Sequence, residues 1–186
     1  MARRKGPGAR PHVLQWNVNS LRARHAELKD LLLQGTLNSD VLALQETRVP
    51  VDAARLPGYT GYAGCSSCPL QTCSAAPCLD SSHPQERPRA AIYVRSNLPH
   101  TVLDVASPDM SPMEVSANRV RLGGKDTSVA SVYVPPSVPW DPSCLTALYS
   151  RLGKDTLICD DFNAHHRDWG SQTTTSRGCW PTPPAA

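Results

Sequence analysis

A length of 186 residues and a hydrophobic content of 40% suit a globular protein with one core, and exclude both a disordered chain and two domains of ordinary size. The formal net charge of +3 is too small to predict a nucleic-acid partner by itself. No apolar run approaches the roughly 18 residues of a membrane span and no hydrophobic stretch follows the basic start, so we expect a soluble, intracellular protein without a membrane partner.

Residues 1–11 form a predicted flexible basic arm. The arm contains Arg3, Arg4, Lys5 and Arg10 and no acidic residue, and its Gly and Pro residues disfavour a helix. Such an arm can contact a phosphate backbone, act as a nuclear targeting signal or serve as a solubilising tail. The sequence leaves these alternatives open.

The first part of the predicted domain, residues 12–178, alternates strands and helices. Residues 12–19 read as a strand with a polar end, and a helix over residues 23–34 follows with Ser20 as its N-cap. The apolar face of this helix is formed by four leucines, Leu28, Leu31, Leu32 and Leu33. Residues 41–44 form a wholly apolar strand, which predicts a sheet covered on both faces.

A cysteine-rich stretch interrupts the domain. Residues 64–88 are rich in Ser, Pro and Cys, and we predict a disordered surface loop there after a short strand at 59–63. The loop holds four clustered cysteines, Cys65, Cys68, Cys73 and Cys78. The first two have the spacing of zinc ligands, but the later spacings are looser and no His lies within the cluster. We expect reduced thiols here rather than structural zinc.

The second part of the domain begins with an antiparallel run of strands. The predicted strands are residues 90–95, 101–105, 113–122 and 128–134, with a tight hairpin at Gly123-Gly124. A helix over residues 143–152 follows, capped by Asp141, and a last strand covers 156–159. The predicted buried residues of this helix are Leu145, Leu148, Tyr149 and Leu152. Strands mixed with helices in this order predict an α/β architecture.

Four apolar strands end in polar side chains able to do chemistry. These side chains are Asn17 with Asn19, Glu46, Tyr133, and the pair Asp161 and Asn163. Ligands of α/β proteins bind where strand ends meet, so we expect one shared cleft. The Asp-x-Asn pair suits phosphoryl hydrolysis, because the carboxylate can take a proton from water. The amide, which never ionises, can hold that carboxylate or a developing oxyanion in place.

The same segments resemble the motifs of the endonuclease/exonuclease/phosphatase superfamily in order and spacing. The segments lie at residues 15–19, 44–47, 132–135 and 161–170, and the match extends over residues 13–178. The Asp-Phe-Asn-Ala-His-His stretch is similar to that of the apurinic/apyrimidinic-like endonuclease domain of non-LTR retrotransposons, although Asp160 stands where the family usually has Gly. The resemblance implies a layered α/β sandwich of two packed mixed β-sheets with flanking helices.

The resemblance also implies a divalent metal ion, Mg2+ or Mn2+. Glu46 would bind the ion, since a hard cation takes carboxylate oxygen and needs only one or two protein ligands when water and phosphate supply the rest. Asn17 would orient the metal centre or the phosphate. Asn19, where some relatives have Asp, is a weaker metal candidate.

The implied reaction is in-line attack of water on a DNA phosphodiester, leaving a 3′-hydroxyl and a 5′-phosphate, in the nucleus when the DNA is chromosomal. Tyr133 would donate a hydrogen bond to a nonbridging phosphate oxygen. Asp161 would align and deprotonate the water, and Asn163 would stabilise the pentacovalent transition state. His165 and His166 are expected to pack and hydrogen-bond beneath the site, with a metal role as the alternative.

The last motif of the family, Ser-Asp-His, does not occur in this sequence, and residues 179–186 form a proline-rich tail. We therefore expect a C-terminally truncated copy with an incomplete second sheet and impaired nuclease activity, since loss of a charge-stabilising group costs about 10²- to 10⁴-fold in rate. Two alternatives are a phosphatase of the same superfamily and an inactive remnant that only binds DNA through residues 1–11.

Overall fold

The computed structural model describes residues 10–64, 87–105, 112–139, 141 and 143–178. Its elements in chain order are β1 (Val13–Asn17), α1 (Leu21–Leu33), β2 (Val41–Gln45), β3 (Tyr59–Ala63), β4 (Ala90–Arg95), β5 (His100–Val102), β6 (Glu114–Leu122), β7 (Lys125–Tyr133), α2 (Ser143–Leu152) and β8 (Thr156–Asp161). Short 3-10 turns lie at Val51–Ala53 and Arg167–Trp169. Residues 1–9, the four clustered cysteines and residues 179–186 lie outside the description, so what was predicted of them stays a prediction.

Two mixed four-stranded sheets form the fold. The first has the order β1-β2-β4-β3, with β1 parallel to β2 and the other pairs antiparallel. The second has the order β5-β6-β7-β8, with only β7 and β8 parallel within the described strands. The predicted sandwich of two mixed sheets is confirmed. The prediction was wrong for β4, which pairs with β2 and β3 in the first sheet, where the helix layer and the second sheet cover the two faces of its buried residues.

The outer face of each sheet is covered by one helix. Side chains alternate in direction along a strand, so every second residue of β2 and β7 points towards a helix. The cluster between the first sheet and α1 includes Leu21, Leu28, Leu42 and Leu44. The cluster between the second sheet and α2 includes Ala130, Val132, Leu145 and Leu148. The layers are therefore helix, sheet, sheet and helix.

The layer between the two sheets, called here the inter-sheet layer, changes from apolar to polar along the strands. Its apolar end contains Val41, Ile92, Val94, Val120, Leu122 and Val129. Further along the same strands the inward positions include polar residues, among them Gln45 at the end of β2 and Ser131 in β7, whose side chains hydrogen-bond to each other. Polar groups thus collect at one end of the sandwich.

Helix α1 begins at Leu21 and not near residue 23 as predicted. Ser20 has φ 82° and makes no side-chain cap bond, so its predicted capping role was wrong. The loop after β2 satisfies the first N–H groups instead: Ser20 donates to the carbonyl of Glu46 at 2.8 Å, and Leu21 to that of Thr47 at 2.9 Å. The start of α1 is therefore tied to the segment that carries Glu46. Neither α-helix in the described ranges has the length and apolar character of a membrane span.

Two leucines of α1 should respond very differently to truncation. Leu28 is fully buried against the first sheet, whereas Leu33 is 63% exposed. The prediction that Leu33 belongs to the apolar face of α1 was therefore wrong. The predicted burial of Tyr149 on α2 was wrong as well, since this residue is 52% exposed. We expect Leu28→Ala to lower the free energy of unfolding by about 2–5 kcal/mol, because it leaves a cavity. Leu33→Ala should lower it by less than about 0.5 kcal/mol. Urea unfolding followed by circular dichroism measures both, and equal losses would contradict the packing.

Candidate active site

Asn17, Glu46 and Asp161 meet at the polar end of the inter-sheet layer. Asn17 ends β1, Asp161 ends β8 and Glu46 follows β2 directly. The Nδ2 atom of Asn17 donates to Glu46 Oε1 at 3.0 Å and to Asp161 Oδ2 at 2.6 Å. One amide nitrogen therefore lies between two carboxylates that come from different sheets. The predicted convergence of these side chains is observed, and their chemical roles stay predictions.

The backbone turns sharply after these strands. Asn19, Glu46, Arg48 and Asn163 have φ values of 41°, 53°, 54° and 50°, in the left-handed region that non-glycine residues rarely adopt. Such conformations cost about 1–3 kcal/mol each and cluster at functional sites. Asn19 contacts the cluster through its backbone, whose N–H donates to Asn17 Oδ1 at 3.0 Å. This bond directs the NH2 group of Asn17 towards the carboxylates.

The Asp-x-Asn pair is held by hydrogen bonds on both sides. Asp161 Oδ1 accepts from the backbone N–H of Asn163 at 3.1 Å, while Oδ2 accepts from Asn17. The side-chain Nδ2 of Asn163 donates to the carbonyl of Val134 at 2.9 Å, at the end of the neighbouring strand β7. The Asp161 carboxylate is therefore fixed in orientation before any ligand is present.

Tyr133 lies beside Asp161 in the register of β7 and β8 and opposite Glu114 of β6. The guanidinium carbon of Arg89 is 5.6 Å from the centroid of the Tyr133 ring, and Arg89 Nε pairs with Glu114 Oε1 at 2.8 Å. Burial raises the pKa of Tyr133 and the charge of Glu46 raises it further, while a hydrogen bond from Arg89 opposes both. Tyr133 consequently keeps its proton at neutral pH and can act as a donor.

A second arginine, Arg48, contacts Glu46, the predicted metal ligand. The guanidinium of Arg48 pairs with Glu46 Oε2, while Glu46 Oε1 accepts from Asn17. The side chain of Arg48 is about half exposed, whereas that of Glu46 is only 15% exposed. The positive charge of Arg48 therefore offsets the negative charge of Glu46, whose carboxylate shares the Asn17 amide with that of Asp161.

Polar side chains cross between the sheets beneath the site. Gln45, fully buried, donates through Nε2 to Ser131 Oγ at 2.9 Å and to the carbonyl of Cys159 at 3.1 Å. Ser131 in turn donates to the carbonyl of Leu44 at 3.0 Å, and Gln15 donates to the carbonyl of Asp160 at 2.5 Å. These bonds fix the ends of β2 and β8 relative to each other.

Asp160, which departs from the glycine of the family pattern, is half-buried at the end of β8. Burial raises the pKa of this carboxyl, and the adjacent charge of Asp161 raises it further. Burial also raises the pKa of the Cys159 thiol to about 11, with the charge of Asp160 as the second cause. Cys159 is therefore a neutral packing residue at physiological pH.

A cleft of about 470 Å³ opens beside the cluster. Its walls are formed by Asp160, Asp161, Phe162, Asn163, Ala164, His165 and Trp169. His165 is exposed and lines this cleft, so the prediction that it packs beneath the site was wrong. Its N–H and C=O are both bonded to Thr175, which leaves the ring at the surface. His166 is half-buried: its Nδ1 accepts from the N–H of Asp168 at 3.1 Å, and its ring packs 5.4 Å from that of Trp169.

The donor set around Asn17 fits a hard divalent cation. Glu46 and Asp161 direct one carboxylate oxygen each towards the same amide, and Mg2+ or Mn2+ needs only one or two carboxylates when water and phosphate complete its shell. Within the described ranges, no group of three or more His, Cys, Asp or Glu residues could hold a metal ion. This arrangement suits an ion shared with a substrate rather than one enclosed by protein ligands.

Comparison with known proteins identifies the family. Residues 14–185 match the model of the Endonuclease/Exonuclease/phosphatase family. The chain belongs to this family. The assignment agrees with the strand-end motifs on which the sequence resemblance was based.

Two relatives of this Endonuclease/Exonuclease/phosphatase family member are proteins of Drosophila melanogaster mobile elements. The RNA-directed DNA polymerase from mobile element jockey is 25% identical over 166 residues, which is 88% of this chain and 16% of the relative. The probable RNA-directed DNA polymerase from transposon X-element is 23% identical over 170 residues, which is 89% of this chain and 16% of the relative. The predicted resemblance to retrotransposon proteins is confirmed, and the chain spans a small part of their length.

Two solved structures share the fold of this family member. The endonuclease domain of TRAS1, a telomere-specific non-LTR retrotransposon, has a TM-score of 0.64 and 19% identity, and the match covers 91% of this chain and 68% of that one. D. rerio TDP2 complexed with a single-strand DNA product has a TM-score of 0.52 and 14% identity, with 86% and 63% of the chains covered. At these identities the likeness concerns the fold.

Five polar residues of the site in this family member were not predicted from the sequence: Gln45, Arg48, Arg89, Glu114 and Ser131. Gln45 had a local signal, since a lone amide at the end of the apolar run in residues 41–45 indicates a buried hydrogen bond. Arg89 and Glu114 had none, because 25 residues separate them in the chain and they meet only where the two sheets pack on each other.

Proposed function

We propose that this chain is a divalent-metal-dependent endonuclease domain, of the kind found in non-LTR retrotransposons, which hydrolyses a phosphodiester bond of DNA by in-line attack of water. The observation that carries the proposal is the position of the Asn17 amide between the carboxylates of Glu46 and Asp161. The mobile-element relatives and the TRAS1 endonuclease domain support DNA as the substrate.

Asp161 acts as the general base in this proposal. Its two oxygens accept hydrogen bonds from the Asn163 backbone and from Asn17, so the carboxylate can take a proton from water in a fixed direction. The amide of Asn163 lies at the same strand end and stabilises charge that develops on the phosphorus oxygens. Tyr133, protonated because its pKa is raised, donates to a nonbridging phosphate oxygen.

Glu46 would hold Mg2+ or Mn2+, with Asn17 orienting the metal centre and Asp161 kept for proton transfer. When bound, the ion acts as a Lewis acid that polarises the phosphate and reduces its negative charge. Arg48 pairs with Glu46 and Arg89 lies over the ring of Tyr133, so both add positive charge next to these groups. The chain can therefore bind an anionic phosphodiester in spite of its own carboxylates.

Nicking of supercoiled plasmid DNA tests the proposal. We expect slow conversion to the open circle in Mg2+ or Mn2+ and none in EDTA, and DNA ligase should reseal the nicks because they carry a 3′-hydroxyl and a 5′-phosphate. We propose that the rate is about 10²- to 10⁴-fold below that of the TRAS1 endonuclease domain, because these 186 residues contain no Ser-Asp-His.

Three results, from nicking, phosphatase and DNA-binding assays, would contradict the proposal. Release of inorganic phosphate from soluble phosphomonoesters without nicking would assign the site to a phosphatase. Salt-sensitive duplex binding without nicking would leave only a DNA-binding remnant. Nicking that persists undiminished in EDTA would exclude the metal requirement.

A further inference from the structure

The loop after β8 places an exposed aromatic side chain beside the catalytic groups. Trp169 is 60% exposed and lines the same 470 Å³ cleft as Asp161 and Asn163. A cleft of this volume lies within the range of about 300–1,000 Å³ that accommodates one small ligand. Phe162 and Ala164 add apolar surface to its walls. The cleft thus has a reactive polar side and an apolar aromatic side.

The turn that carries Trp169 is held in place by its own hydrogen bonds. The N–H of Trp169 donates to the carbonyl of His166 at 3.1 Å, and the N–H of Asp168 donates to the His166 ring at 3.1 Å. Gly170 ends the turn with φ 83°, in the left-handed region that glycine tolerates. The indole ring also packs against the His166 ring at 5.4 Å between centroids. Its position is therefore fixed although its outer face is free.

The two ends of the loop are tied down as well. Arg177 donates to the carbonyl oxygens of Phe162 at 3.0 Å and of Pro135 at 2.7 Å, and also to that of Val138. Gly178 approaches the loop so closely that a Cβ atom there would lie 1.8 Å from the carbonyl oxygen of His165. A loop that is ordered before binding loses little conformational entropy when a ligand arrives.

We propose that Trp169 stacks on a nucleobase displaced from the duplex next to the scissile phosphodiester, an inference that rests on the proposed nuclease function. The reacting phosphate would lie at Asp161 and Asn163, so the base of an adjoining nucleotide reaches the aromatic side of the same cleft. Asp160 also lines the cleft and disfavours a second phosphate there, whereas a neutral base suits it. Every base presents a π face, so stacking of this kind binds DNA without selecting sequence.

The affinity of the full chain for DNA in EDTA, where no cleavage occurs, tests the inference. The probe is a fluorescein-labelled duplex whose nicking position has first been mapped in Mg2+. Trp169→Ala should weaken binding by about 10-fold, since base–aromatic stacking contributes about 1–3 kcal/mol. Trp169→Phe should retain most of the affinity. Tyr149→Ala, which removes a similarly exposed ring from α2, is the control and should change nothing.

A base-deletion series identifies the stacking partner. An abasic analogue placed at one position beside the mapped nick should weaken DNA binding by the wild-type chain as much as Trp169→Ala does. The same analogue should not weaken DNA binding by the Trp169→Ala variant any further. Unchanged affinity of Trp169→Ala, in a chain that nicks DNA and melts at the wild-type temperature, would overturn the inference and leave the nuclease function standing. Failure of the wild-type chain to nick or bind DNA would overturn both.

Discussion

Replacement of Asp161 by Asn should lower the rate of DNA nicking by about 10²- to 10⁴-fold, the effect of removing a positioned general base. Asn has the same shape, so the bond from the Asn163 backbone N–H to the side-chain oxygen can be kept. The second oxygen becomes an NH2 group, which can neither take a proton from water nor accept from Asn17. The chemical step is lost while the loop geometry is retained.

Single-turnover nicking of supercoiled DNA at saturating Mg2+ measures this loss. Asp126→Asn is a matched control, because Asp126 is an exposed acid at the far end of β7 and lies 3.5 Å from Arg121. Circular dichroism should show the same spectrum for both variants and the wild type. A nicking rate for Asp161→Asn within a factor of a few of wild type would remove Asp161 from the mechanism.

Glu46→Gln should weaken metal binding by about 100-fold or more. Removal of a residue that only supports a metal ligand typically lowers the metal affinity by about 10- to 100-fold. Removal of a ligand itself should lower the affinity by at least this much. Gln can still accept the hydrogen bond from Asn17, but it lacks the negative charge that attracts the ion and pairs with Arg48. The nicking rate at fixed low Mg2+ should fall in proportion.

Titration of the DNA-free chain with Mn2+, followed by electron paramagnetic resonance, separates binding from catalysis. Glu27→Gln serves as the control, because Glu27 lies on the exposed side of α1 in a surface pair with Arg24. Equal Mn2+ affinities for wild type and Glu46→Gln would place the ion elsewhere. In that case Glu46 would serve only to hold Asn17 and Arg48.

The positions of the reactive side chains could be predicted because each lies at the end of a short apolar strand. Such runs mark β-structure from local sequence, and the parallel pairs β1–β2 and β7–β8 then bring their ends to one edge. The geometry of the Asp-x-Asn pair is also local, since the backbone N–H of Asn163 donates a hydrogen bond to the carboxylate of Asp161 two residues earlier. These features depend on few contacts with the rest of the chain.

The remaining features depend on tertiary packing. The place of β4 follows from strand order, and the pairing of Arg89 with Glu114 follows from the packing of the two sheets, neither of which composition encodes. Leu33 is exposed because α1 turns it away from the sheet in its last turn, although leucine alone predicts burial. His165 faces outward because Thr175, ten residues later, binds its backbone. Such errors are expected wherever distant segments decide the orientation of a residue.

The division of the reactive groups between the two sheets makes the proposed hydrolytic activity depend on the finished sandwich. Asn17 and Glu46 come from one sheet and Asp161 from the other, and the buried amide of Gln45 spans the boundary beneath them. A nascent or partly unfolded chain in which only one sheet has formed would carry an incomplete set and leave DNA intact. Under the proposed nuclease function, this would confine cleavage of DNA to molecules that have completed folding.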